Sequence, residues 1–85
     1  MKLEEIKSLL PAEAIPLLDD YLRLYPEDDE AFRIRGMKHW ALGHRALAIN
    51  DYHRAVSINP ESKARQALET TNAILDYYNK DLLNP

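Results

Sequence analysis

The chain contains no cysteine, only two glycines, one tryptophan and one phenylalanine among its 85 residues. Without cysteine it has no means of forming disulfides or thiolate metal sites, which fits a reducing compartment. Two glycines are too few for a glycine-rich loop that cradles phosphate. No apolar run approaches the ~20 residues of a membrane helix, and the charged N-terminus lacks a signal-peptide core. The sequence therefore predicts a soluble, cytoplasmic protein with no cofactor and no membrane segment.

The chain does contain enough apolar residues for one small globular domain, and its charge is unevenly distributed. Hydrophobic residues make up 46% of the chain and charged residues 29%, a composition typical of folded proteins. Residues 1–32 carry three basic and nine acidic side chains, a net charge of -6. Residues 33–54 carry five basic side chains and one acidic, a net charge of +4. This basic band indicates either an anionic partner or pairing within the chain.

Proline and glycine divide the sequence into five predicted helices, and no alternating strand pattern is present. The first helix is short, with apolar residues from Leu3 to Leu10, and is stopped by Pro11. The second contains Pro16, which lies either in its first turn or at a kink, and it closes at Pro26. The predicted fold class is all-α.

The other three helices have clear start and stop signals. Asp28 and Asp29 are good N-caps for the third helix, and Gly43 is a left-handed stop. The fourth helix starts near His44 or Arg45 and ends at 59–60, where asparagine precedes proline. Residues 61–62 open the last helix, which is expected to run to about Tyr78.

Two of the prolines mark an internal repeat. Pro26 and Pro60 lie 34 residues apart, and the residues before them match in phase. Ala14-Ile15 recurs as Ala48-Ile49, and Leu24 recurs as Ile58. A period near 34 indicates one supersecondary unit used more than once.

Residues 29–60 carry aromatic, small and proline residues at fixed spacing. In order they are Phe32, Arg35-Gly36, His39, a turn at Gly43, Ala48, Tyr52, Ala55 and Pro60. This pattern resembles a tetratricopeptide repeat (TPR). The resemblance implies antiparallel helix pairs in a right-handed stack, used for protein–protein interaction. It divides the single domain into a truncated repeat at 1–26, a complete repeat at 27–60, and a capping helix with tail at 61–85; the tail 77–85 is similar to that of short bacterial TPR proteins.

Small residues in the pattern have a physical task, and two positions depart from the family. Gly36 and Ala48 let the two helices approach closely, while Phe32 and Tyr52 fill the space beside them. The family's leucine is Arg35 here. An arginine on a packed face must extend to solvent or find a carboxylate, such as Asp51 or the acidic residues before Phe32. The family's tyrosine is His39.

Catalytic and metal-binding constellations are missing from the sequence. The three histidines are His39, His44 and His53, and none forms the i, i+4 pair of a helical zinc site. The serines lack a nucleophile elbow, and the acidic clusters are typical of helix caps and solvated faces. We therefore expect neither an enzyme nor a metalloprotein.

The resemblance places the binding surface on the concave side of the stack, along the first helix of each repeat. The matching positions are Arg33, Met37, Trp40 and Ala41, with Ile6 before them and Thr71, Ile74 and Leu75 after. Arg33, Met37 and Trp40 fall at i, i+4 and i+7 of one helix face. Trp40 is either a core residue or a groove residue. Arg33, joined by Lys38, is expected to steer an acidic peptide or helix into this groove.

The sequence also bears on three other partner classes. Met37 stands where a carboxylate-clamp TPR domain needs an asparagine, which argues against capture of a peptide's terminal carboxylate. Nucleic acid is the competing partner for the basic band, but we do not expect it, because the chain is acidic overall and acidic segments flank the band. The alternative to groove binding is self-association into a homodimer through apolar residues of the last helix. These residues are Ile74, Leu75, Tyr77, Tyr78, Leu82 and Leu83.

Overall fold

A computed structural model describes residues 2–71, and this part of the chain consists of helices and short connections without a strand. The helices are α1 (Leu3–Lys7), α2 (Pro11–Leu24), α3 (Asp29–Ala41) and α4 (Arg45–Ile58). Residues 64–71 are also helical and are called α5. The all-α prediction is confirmed for these residues. The predicted run of the last helix to Tyr78 lies outside the described residues.

The connection between α1 and α2 differs from the prediction. α1 ends at Lys7, and Leu10 is extended and exposed instead of continuing the helix. Pro11 is the first residue of α2, a position that suits proline because its missing N–H would have no helical partner there. Proline also disfavours helical backbone in the residue before it. Pro11 therefore starts the second helix as well as stopping the first.

Pro16 lies inside α2, five residues after its start. Pro16 is thus an interior helix residue and not a first-turn proline. Proline has no N–H, so the carbonyl of Ala12 loses its usual helical donor. The helix nevertheless continues to Leu24, because its apolar face is buried through Ala14, Leu18 and Leu22.

Both ends of α3 and the start of α5 follow the predicted signals. The Asp28 side chain accepts a hydrogen bond from the backbone N–H of Ala31 (3.2 Å), which caps α3. Gly43 adopts the left-handed conformation (φ 80°) between α3 and α4. Ser62 Oγ accepts from the backbone N–H of Ala64 at 3.1 Å, which supports the start of α5.

The helices pack in chain order and bury two apolar clusters. The first lies between α1, α2 and α3, and it centres on Ile6, Ala14, Leu18 and Ile34. The second lies between α4 and α5, with α3 side chains packed against it, and it centres on Ala48, Tyr52, Ala55, Ala64 and Leu68. Each cluster is formed by a helix pair together with a neighbouring helix, as expected when no single helix pair buries both of its faces.

Arg35 is accommodated between the helices by two carboxylates. Its Nε and Nη2 donate to the two Oδ atoms of Asp51 at 2.9 and 2.8 Å, and its Nη1 donates to Asp19 at 2.9 Å. Asp51 was one of the predicted partners, whereas Asp19, from α2, was not. The guanidinium therefore ties α2 and α4 to α3, and its pairing compensates for the burial of Asp51.

Candidate peptide-binding groove

A groove of about 420 Å³ opens between α3 and α5, with α4 beneath it. We refer to it as the α3–α5 groove. It is lined by Arg33, Met37, Trp40, Tyr52, Lys63, Gln66, Ala67, Thr70 and Thr71. Four of these nine residues were predicted from the sequence: Arg33, Met37, Trp40 and Thr71.

One wall of the groove is the predicted stripe of α3. The spacing i, i+4, i+7 places Arg33, Met37 and Trp40 on the same side of this helix. Met37 is 43% exposed, so this residue presents apolar surface to solvent. Trp40 packs against the apolar cluster of α4 and α5 and also lines the groove. Trp40 is therefore partly buried in the packing and also part of the groove wall.

The opposite wall comes from α5 and the residues just before it, and most of this wall was missed. Lys63, Gln66, Ala67 and Thr70 follow the spacing i, i+3, i+4, i+7, which gives one helical face. Counting back from Thr71 by helical turns would have found Ala67 and Lys63. The pairing of this face with α3 was not visible in the sequence. The floor is Tyr52, a buried residue that the sequence assigned only to packing.

Arg33 is the charged centre of the α3 wall, and it is already paired. Its Nε and Nη2 donate to the two carboxylate oxygens of Glu30 at 2.7 and 2.8 Å. Its Nη1 lies 3.1 Å from the Met37 sulfur. The Arg33 side chain is 13% exposed and that of Glu30 is 46% exposed. The hydrogen bonds from Arg33 lower the pKa of the Glu30 carboxyl, with a further contribution from the positive charge of Lys63.

The remaining predicted residues lie elsewhere. Lys38 does not line the groove: its Nζ donates to the backbone carbonyls of Lys7 and Leu9 at 2.7 and 2.8 Å, at the C-terminal end of α1. Ala41 is exposed at the end of α3 and does not line the groove either. Ile74 lies outside the described residues. Ile6 is buried in the cluster between α1, α2 and α3.

A second concave surface lies on α1 and α2 and was not predicted. It has a volume of about 230 Å³ and is lined by Ile6, Leu17, Asp20, Tyr21, Leu24 and Tyr25. Leu24 is 75% exposed and Tyr25 is 55% exposed. The hydroxyl of Tyr21 donates to Asp28 at 2.7 Å, which raises the pKa of Tyr21 to about 12. This surface is half as large as the α3–α5 groove.

The side chains that line the α3–α5 groove are arranged in a way that suits binding of another molecule. Two cationic side chains, Arg33 and Lys63, stand above an apolar floor, and threonine and glutamine side chains provide further hydrogen-bonding groups. Among residues 2–71, no three metal-ligating side chains converge. The hydroxyls of Ser8 and Ser62 are engaged in local bonds to the backbone.

The structure and the comparisons with known proteins add two findings. In the part of the chain from 2 to 71, every helix is too short or too polar to cross a bilayer. No protein-family model, curated protein or solved structure matches the chain.

Proposed function

We propose that this chain is a non-catalytic, TPR-like interaction module that holds a peptide or helix of an acidic partner in the α3–α5 groove. The single observation that carries the proposal is the juxtaposition of Arg33 and Lys63 with the apolar surface of Met37, Trp40 and Tyr52. Tryptophan, tyrosine, methionine and arginine are the residue types that are enriched at protein interfaces. A positively charged rim around an apolar floor favours acidic, partly apolar segments.

The α3–α4 pair supports the TPR-like part of the proposal. A Cβ atom at Gly36 would lie 2.6 Å from the Tyr52 ring and 3.2 Å from the carbonyl oxygen of Ala48. The pattern's glycine therefore faces its alanine and its second aromatic across the helix pair. A right-handed stack of such pairs has a concave side formed by α1, α3 and α5. We also propose a cytoplasmic location, on composition alone.

The test combines selection with two matched variants. Twelve-residue peptides are selected on the wild-type chain from a random display library, and their affinities are measured by calorimetry. The groove variant combines Arg33→Glu with Trp40→Ala. The control combines Arg23→Glu with Tyr25→Ala, because Arg23 of α2 and Tyr25 just after this helix are exposed and lie outside the α3–α5 groove. Circular dichroism verifies that both variants keep their helices.

We expect the selected peptides to be acidic and to lose at least about 30-fold in affinity on the groove variant, since truncating a central tryptophan typically costs 2 kcal/mol or more. The control should bind as the wild type does. Peptides that bind all three proteins equally would contradict groove binding. If the wild-type chain captures only its own copies from a lysate, self-association becomes the better proposal. The apolar residues first assigned to it lie at 74–83, outside the described residues.

A further inference from the structure

We propose that Glu30 is an internal competitor for the partner's carboxylate, and that the partner presents this carboxylate about 10 Å from a large apolar side chain. The inference rests on the proposed function, because it concerns the ligand of the same groove. It adds the spacing of the two recognised groups and assigns a role to a residue that does not line the groove.

The competitor role of Glu30 is inferred from the geometry of the Arg33–Glu30 pair. Both oxygens of Glu30 bond to Arg33, in the fork arrangement by which arginine recognises a carboxylate of any source. An incoming aspartate or glutamate either displaces Glu30 from this fork or is limited to the remaining nitrogen, Nη1. That nitrogen lies near the Met37 sulfur, which is a weak hydrogen-bond acceptor. A carboxylate in the place of the sulfur accepts a stronger hydrogen bond from Arg33.

Glu30 is free to leave the pair. It stands in the first turn of α3 and is roughly half exposed, so its carboxylate regains water when it is released. Lys63 stands in the opposite wall of the groove, and, together with the hydrogen bonds from Arg33, its positive charge contributes to the lowered pKa of the Glu30 carboxyl. A partner carboxylate at Arg33 therefore also enters the field of Lys63, which offsets the loss of Glu30.

The distance between the partner's carboxylate and its apolar side chain is inferred from the spacing of Arg33 and Trp40 along α3. Arg33 and Trp40 are seven residues apart, which corresponds to about 10 Å along a helix with a rise of 1.5 Å per residue. An extended peptide covers this distance in about three residues, and a helical one in about seven. The expected motif is an acidic residue separated by one of these spacings from an aromatic or long aliphatic residue.

The experiment uses the peptide selected on the wild-type chain and a second version in which its acidic residue is replaced by the amide. Both are titrated calorimetrically into wild type, Glu30→Gln and Asp20→Asn. Asp20 is the matched control because it also pairs with an arginine three residues later, Arg23, and this pair is exposed on the surface of α2. The Arg33–Glu30 pair has one largely buried and one exposed member, and we expect it to contribute about 1 kcal/mol, which corresponds to about a fivefold change in affinity.

We expect Glu30→Gln to bind the acidic peptide about two- to fivefold more tightly and the amide peptide no better than the wild type does. Asp20→Asn should leave both affinities unchanged. If Glu30→Gln binds the acidic peptide more weakly or equally, Glu30 positions Arg33 or has no role, and the competitor proposal is overturned while groove binding stands. If no peptide binds the wild-type chain, the proposed function itself is wrong.

Discussion

At Gly36 the backbone of α3 lies against the side chain of Tyr52 from α4. The Cβ of any other residue would come within 2.8 Å of two ring carbons of this tyrosine. Tyr52 is buried and packs in the cluster of α4 and α5, so its ring has little room to move. Any larger residue at this position therefore requires Tyr52 or the helix to shift, which favours glycine although it is a poor residue for a helix interior.

The substitution Gly36→Ala tests this close approach. Alanine gains about 1 kcal/mol in helix propensity, but overpacking of this kind costs about 1–3 kcal/mol. We expect the overpacking cost to exceed the gain in helix propensity, so that the free energy of unfolding, measured by urea denaturation, falls by up to about 2 kcal/mol. With Tyr52→Leu in the background, the same substitution should cost less, because a smaller side chain faces it. A Gly36→Ala chain as stable as the wild type would refute the steric explanation.

Among the elements, α1 depends most on its neighbours. It contains five residues, far fewer than an isolated helix needs in water. Ile6 anchors it in the apolar cluster, and Lys38 of α3 donates to carbonyls at its end. A cation at these carbonyls also complements the negative end of the helix dipole. We conclude that Lys38 stabilises the folded position of α1.

The substitution Lys38→Met retains the apolar stem and removes the amine. The amides of α1 should exchange with deuterium about five- to tenfold faster, which corresponds to about 1 kcal/mol of local stability. Lys7→Met, which removes an exposed cation nearby, is the control and should have a smaller effect. The affinity for acidic peptides should not change in Lys38→Met. Weaker peptide binding with unchanged exchange would instead support the steering role suggested by the sequence.

The helix boundaries and the groove show which features could be predicted from the sequence alone. Caps and stops at Asp28, Gly43 and Asn59 were predictable because each acts through its own backbone. The role of Pro16 was not, because tertiary burial of α2 outweighs one lost hydrogen bond. In the groove, the α3 stripe was predictable from helical spacing. The direction of Lys38 and the facing wall of α5 were not, because they depend on which helices become neighbours.

At the scale of the whole molecule, one polar cluster joins three helices. Asp19 of α2, Arg35 and His39 of α3, and Asp51 of α4 lie together between them. His39 is nearly buried, and its Nδ1 has no hydrogen-bond partner. Burial lowers the pKa of His39 below its usual value, and the nearby charge of Asp51 opposes this only in part. The folded chain therefore favours neutral His39.

This preference predicts a pH dependence of stability. Between the lowered pKa of the folded state and the ordinary value of 6.5 in the unfolded state, the unfolded chain binds more protons. Stability is thus fully present above about pH 6.5 and is lost as the pH falls below it. Urea denaturation between about pH 5 and 7.5 measures the slope. His39→Gln should flatten it, whereas His53→Gln, at an exposed position, should not. An unchanged slope in His39→Gln would exclude His39 as its source.

The location of Trp40 has a practical consequence for studies of this protein. It is the chain's single tryptophan, and it lies in the wall of the groove with the Arg45 guanidinium 5.4 Å from its ring centre. Tryptophan emission responds to water and to nearby charge. The intrinsic fluorescence of the unmodified chain is therefore a direct optical signal from the groove, free of background from any other indole.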